Sequence, residues 1–101
     1  MADFSEAKIQ QVWEKSRTDA KYDENKYRFD DCAAIMQRDL YGKTDSIYGW
    51  TIDHIIPLSK GGSNDLSNLR PMQHQNNAAK ADNNLLCIVK FNFDENMNVK
   101  I

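Results

Sequence analysis

The chain has little of what would mark a disulfide-stapled, membrane-embedded or charge-driven protein. Two cysteines among 101 residues, Cys32 and Cys87, are too few for a disulfide scaffold. They also lack the paired spacing of a four-cysteine zinc site, so both are expected as buried thiols. The longest apolar run, Leu85 to Val89, falls far short of the roughly 20 residues that a membrane-spanning helix needs. The start, MADFSEAKIQQ, has neither the basic opening nor the apolar centre of a signal peptide, and cytoplasmic residence is the resulting expectation. Internal repeats and low-complexity tracts are absent. Positive charge is short as well. Lys and Arg number 13 against 15 Asp and Glu, giving a net charge of −2 and a pI near 5.6, which argues against holding nucleic acid through a broad basic face.

What is present suits one folded domain over residues 1–101, since 41% hydrophobic and 28% charged residues are ordinary for a globular chain. Ile9, Val12, Trp13 and Ser16 recur at helical spacing, and Asp3 with Glu6 fits a capping box before them. Residues 17–31 are charged and aperiodic and read as a surface connection pinned by Tyr22, Tyr27 and Phe29. Ala33 to Tyr41 fits neither the helical nor the strand period cleanly, with a strand favoured. Trp50, Ile52, Ile55 and Ile56 build a β-prone run stopped by Pro57, and KGGSN at 60–64 is a loop. Leu69 to Met72 reads as a very short strand and Gln73 to Ala81 as a helix ended by Asn83 and Asn84. The segments around NFDEN, Leu85 to Phe91 and Met97 to Ile101, suggest a terminal hairpin with Asp94 to Asn96 in its turn.

Between Trp50 and Asp82 the chain offers the parts of phosphodiester hydrolysis: oxygen ligands for a hard cation and a base beside them. Asp53 and Asn77 carry oxygens of the kind that suits Mg²⁺ or Mn²⁺, and His54 has an imidazole suited to proton transfer near neutrality. Neighbours on an extended strand point to opposite sides, so Asp53 and His54 should diverge, as in-line displacement at phosphorus permits.

The run DHIIPLSKGGSNDLSNLRPMQHQNNAAKADN resembles the HNH endonuclease motif, with Asp53 and His54 first, Asn68 central and Asn77 last. The resemblance implies an α+β fold with a ββα-metal (His-Me finger) core at 50–82, an N-terminal helix and a C-terminal hairpin. It also implies that His54 is the general base, that Asp53 and Asn77 hold one divalent metal, Mg²⁺ or Mn²⁺, and that Asn68 braces the loop behind the base. DNA is the implied substrate, with 5′-phosphate and 3′-hydroxyl products. The ion would reverse the local sign where phosphate must sit. Lys80, one turn beyond Asn77, would reach a phosphate, and Arg28, in an aromatic, Arg, x, Asp segment similar to one found upstream in small family members, is a second candidate. Many relatives carry zinc on two CxxC pairs, but Gln73 and Asn76 stand where one pair would be, so no structural zinc is expected.

Blander readings stand beside these. Asn76 competes with Asn77 as a polar residue early in a helix, and His74 is expected to be a partly exposed histidine rather than a ligand. Trp13 and Trp50 are core aromatics, Gly61 and Gly62 turn residues, and Lys60 and Arg70 ordinarily solvated charges. A catalytically silent ββα module that binds nucleic acid or protein is the rival function. A toxin or restriction subunit needing a protein partner is the third, and a homodimer is left open.

Overall fold

The computed structural model describes residues 4–80 and 84–99. Helix α1 (Glu6–Trp13) begins at Ser5, whose hydroxyl accepts the Lys8 N–H at 3.1 Å. Asp3, half of the expected capping box, lies outside the described residues, and the serine does the capping. Removing that hydroxyl would cost about 1 kcal/mol, the usual value of a helix N-cap. Ile9, Val12 and Trp13 form the buried face of α1, at the spacing that an amphipathic helix uses.

Residues 17–31 are more than a surface connection. Strand β1 (Tyr27–Phe29) pairs antiparallel with β2 (Ile35–Gln37), matching Phe29 to Ile35. A three-residue strand centred on arginine has too short an alternation to be read locally. The pair is closed by Asp30, whose Oδ1 accepts the N–H groups of Cys32 at 2.8 Å and Ala34 at 2.9 Å. Ala33 there takes a positive φ of 64°. A short helical turn follows at Arg38–Leu40, which is why residues 33–41 fit no single period.

Strand β3 (Trp50–His54) pairs antiparallel with β4 (Leu69–Gln73), setting Trp50 against Gln73, Asp53 against Arg70 and His54 against Leu69. The sheet has two strands, so both are edges and Pro71 is tolerated. Helix α2 (His74–Lys80) follows directly. Gln73 starts it: its Oε1 accepts the N–H groups of Gln75 at 2.9 Å and Asn76 at 3.0 Å. Ala81 and Asp82, assigned in the sequence to the end of this helix and of the motif, lie outside the described residues, as does Asn83. The hairpin of β5 (Val89–Phe91) and β6 (Asn96–Asn98) closes the chain. Asn96 belongs to the strand rather than to the turn, because its side-chain amide pairs with Ile35, accepting its N–H at 2.9 Å and donating to its carbonyl at 2.7 Å.

The core joins Ile9, Val12 and Trp13 of α1 to Met36, Trp50, Ile52 and Leu69. Both indoles are buried, with ring centroids 5.2 Å apart. Their N–H groups donate to the Glu24 and Arg38 carbonyls, as buried tryptophans require. The cysteines correct the expectation of free thiols: Cys32 and Cys87 form a disulfide across 55 residues. It ties the segment after α2 to the β1–β2 turn, a pairing that no local spacing announces. No helix among the described residues is long and apolar enough to cross a membrane.

Candidate functional site

Alternation along β3 sorts its side chains onto two faces. Trp50 and Ile52 enter the core beneath α1, and His54, on the same face at the strand end, lies near Phe4 at 6.2 Å between ring centroids. Thr51 and Asp53 face α2. Asn77 Nδ2 donates to Thr51 Oγ1 at 2.7 Å, and the Lys80 ammonium donates to Asp53 Oδ1 at 3.1 Å. The fold therefore brings Asp53, Asn77 and Lys80 to one side of the strand and leaves His54 at its end on the other.

The loop behind His54 is built on Asn68. Its Oδ1 accepts the Ile56 N–H at 2.8 Å, while its Nδ2 donates to the carbonyls of Ile56 at 3.0 Å and Ser63 at 2.8 Å. Its own carbonyl accepts the Ile55 N–H at 2.8 Å. The backbone packs so closely there that a Cβ on Gly62 would sit 1.7 Å from the Ile56 oxygen, and Gly61 has φ 88°. Both glycines are thus required by geometry, the first by close approach and the second by its left-handed backbone. His54 itself is oriented by Asn64, with Nε2 2.7 Å from the amide Oδ1. An amide oxygen only accepts, so Nε2 carries the proton and Nδ1 holds the free lone pair.

Asp53 is buried and paired twice. Lys80 holds Oδ1, and Arg70 Nε donates to Oδ2 at 2.7 Å. Arg70 is also forked to Asp31 through Nη1 at 3.1 Å, and its side chain is only 17% exposed, so it is not the solvated charge expected from sequence. Lys15 lies in the same field. Burial pushes its ammonium below the ordinary lysine value, Asp31 raises it and Arg70 lowers it further.

The two adjacent asparagines separate cleanly. Asn76 is fully buried and wholly used: Oδ1 accepts the N–H groups of Ile88 and Val89, both at 2.8 Å, while Nδ2 donates to Asp30 Oδ2 and the Val89 carbonyl. The amide oxygen of Asn77 accepts no bond from the described residues, only its nitrogen being engaged. Among the described residues no three His, Cys, Asp or Glu side chains converge. Asp53 and Asn77 carry hard oxygen donors of the type that fits Mg²⁺ or Mn²⁺, and as the chain stands both Asp53 oxygens are engaged by Lys80 and Arg70.

Two other residues singled out in the sequence have different company. Arg28 donates to the carbonyls of Glu24, Glu14 and Ser16 and lies 6.0 Å over the Trp13 ring, so the fold does not join it to Asp53 or Asn77. His74 Nε2 meets the Ser46 carbonyl at 2.8 Å and fastens the 43–49 loop. Sequence reasoning took Arg70 for a solvated charge and passed over Asn64, Thr51 and Asp31. Only the cross-strand match of Asp53 with Arg70, an opposite-charge pair across a ladder, would have pointed to one of them. Residues 42–83 match the model of the HNH endonuclease family. No curated protein and no solved structure matches the chain.

Proposed function

We propose, from the match of residues 42–83 to the HNH endonuclease family model, that the chain is a metal-dependent endonuclease that hydrolyses DNA phosphodiester bonds. The observation that carries this reading is the pairing of a tautomer-fixed histidine with two hard oxygen donors across one strand end. Asn64 engages Nε2 of His54 and leaves Nδ1 to face away from it, while Asp53 and Asn77, whose amide oxygen accepts no bond from the described residues, stand on the α2 side. In this reading Asp53 and Asn77 hold the ββα-metal ion, Mg²⁺ or Mn²⁺. Once bound, the ion neutralises charge on the phosphate and the leaving oxygen.

The chain's own groups do the rest. His54 takes a proton from water at Nδ1, and the Asn64 amide keeps the ring from turning its protonated nitrogen toward the substrate. Asn68 acts behind the reaction, clamping Ile56 and Ser63 so that the loop after His54 keeps its path. The exposed side chains of Ile55, Ile56 and Leu58 give that loop an apolar surface next to the base.

Supercoiled plasmid incubated with the protein and Mg²⁺ or Mn²⁺ should be nicked or linearised, and EDTA should stop it. His54→Ala should lower the rate by about 10²–10⁴-fold, the usual contribution of a general base, with an unchanged circular dichroism spectrum. Undiminished cleavage by that variant would end the base assignment. The silent-module reading draws on one observation, that both oxygens of Asp53 are already neutralised by Lys80 and Arg70. DNA binding without nicking in every metal would select it. Cytoplasmic residence, expected from the lack of a signal-peptide pattern and of a long apolar run, has the Cys32–Cys87 disulfide against it, since such bonds persist chiefly where thiols are not held reduced.

A further inference from the structure

Lys80 is buried to 4% side-chain exposure, a place where lysine is rare unless paired. Its ammonium donates to Asp53 Oδ1 at 3.1 Å and to the His54 carbonyl at 2.9 Å. The other carboxylate oxygen is held by Arg70, which is itself shared with Asp31. Asp53 and Asp31 balance Arg70 and Lys80, and Lys15, in the field of Asp31 and Arg70, adds a further positive charge, so the cluster holds no negative charge to spare. A divalent ion added to Asp53 with both cations retained would leave uncompensated positive charge in a poorly solvated place, which protein interiors resist. One cation has to leave. Arg70 is gripped by two carboxylates and sits opposite Asp53 in the sheet. Lys80 is held by one carboxylate, at the end of α2, on a flexible four-carbon stem.

We infer that Lys80 is a positioning residue that serves as a resident counter-ion: its ammonium holds Asp53 Oδ1 in the metal-free chain and is displaced when a divalent ion binds. The inference rests on the reading of Asp53 as a metal ligand. It explains how a buried carboxylate is held in one orientation before any ion arrives. It also makes lysine and ion competitors for a single oxygen, so the lysine sets the metal affinity.

The test is Mn²⁺ binding without DNA, followed by calorimetry and electron paramagnetic resonance, for the wild type, Lys80→Met and Lys80→Gln. Lys80→Met should bind Mn²⁺ roughly tenfold more tightly, because a competitor for one state has been removed. It should also melt lower in EDTA, with Mn²⁺ restoring much of the difference. Lys80→Gln keeps a polar group able to donate to the same two acceptors and supplies the measurement should the methionine variant not fold. A lysine with a purely structural role would lower the melting temperature in EDTA and leave Mn²⁺ affinity unmoved. Unchanged or weaker affinity in the folded variants, or no Mn²⁺ binding by any form, overturns the inference. Tighter binding by the variants alongside a wild type that never nicks DNA would uphold the exchange and end the nuclease reading. His54-dependent nicking with no tightening would do the reverse.

Discussion

Asp30→Asn is the sharpest structural perturbation available near the site. The Asp30 carboxylate is buried and accepts four N–H bonds: Cys32 at 2.8 Å and Ala34 at 2.9 Å on Oδ1, Gln73 at 3.0 Å and Asn76 Nδ2 at 3.1 Å on Oδ2. It joins the β1–β2 turn to the end of β4 and to α2, the helix that carries Asn77 and Lys80. A carboxamide keeps one oxygen and sets an NH₂ group against two N–H donors, whichever way it is turned. Each buried donor left without an acceptor costs about 1–3 kcal/mol. The relief of no longer burying a charge offsets part of that loss. The net expectation is about 3 kcal/mol, or a melting temperature lower by roughly 12–24 °C at this chain length. Guanidinium unfolding at pH 7.5, followed through the buried Trp13 and Trp50, measures it. Asp31→Asn is the control, because its carboxylate is 55% exposed and its single ion pair with Arg70 should be worth under about 1 kcal/mol. An Asp30→Asn variant within about 1 kcal/mol of the wild type would refute the view that this carboxylate anchors α2.

Asp30 also predicts an unusual pH dependence. Burial pushes its carboxyl above the ordinary value of 3.8, outweighing the opposing bonds from Ala34, Asn76, Gln73 and Cys32. A raised folded value means that the native state binds the proton more tightly. The proton-linked part of its contribution is therefore fully present below pH 3.8 and lost as pH climbs through the elevated value, while the hydrogen bonds to the carboxylate remain. The stability difference between the wild type and Asp30→Asn should narrow as pH rises through that window, and unfolding midpoints that widen instead would reverse the sign. For the disulfide, the 55-residue separation implies about 4 kcal/mol from restriction of the unfolded chain. Replacing Cys32 and Cys87 together with alanine should lower the melting temperature by more than about 10 °C, whereas an unchanged melt would show that the bond constrains nothing.

Much of the site's framework is legible in local sequence. The order of β3, loop, β4 and α2 follows from a β-prone run stopped at Pro57, two adjacent glycines and an alanine-containing helix, all read among near neighbours. Strand alternation alone sends Asp53 and His54 to opposite faces. The hairpin after residue 88 and the buried face of α1 are written in the same short-range terms.

Tertiary structure decided the chemistry around that framework. Whether Asn76 or Asn77 has an oxygen to offer depends on where Asp30 and Val89 arrive. That Arg70 is a half-buried partner and not a solvated charge depends on the register of β3 against β4 and on Asp31, which is 39 positions away. The Cys32–Cys87 bond and the pairing of Lys80 with Asp53 likewise join positions 55 and 27 residues apart. Periodicity and turn preference act over a few residues of backbone, so they announce elements. Hydrogen bonds and ion pairs act across a few ångströms of space, and the partners that meet there are chosen only once the chain has folded.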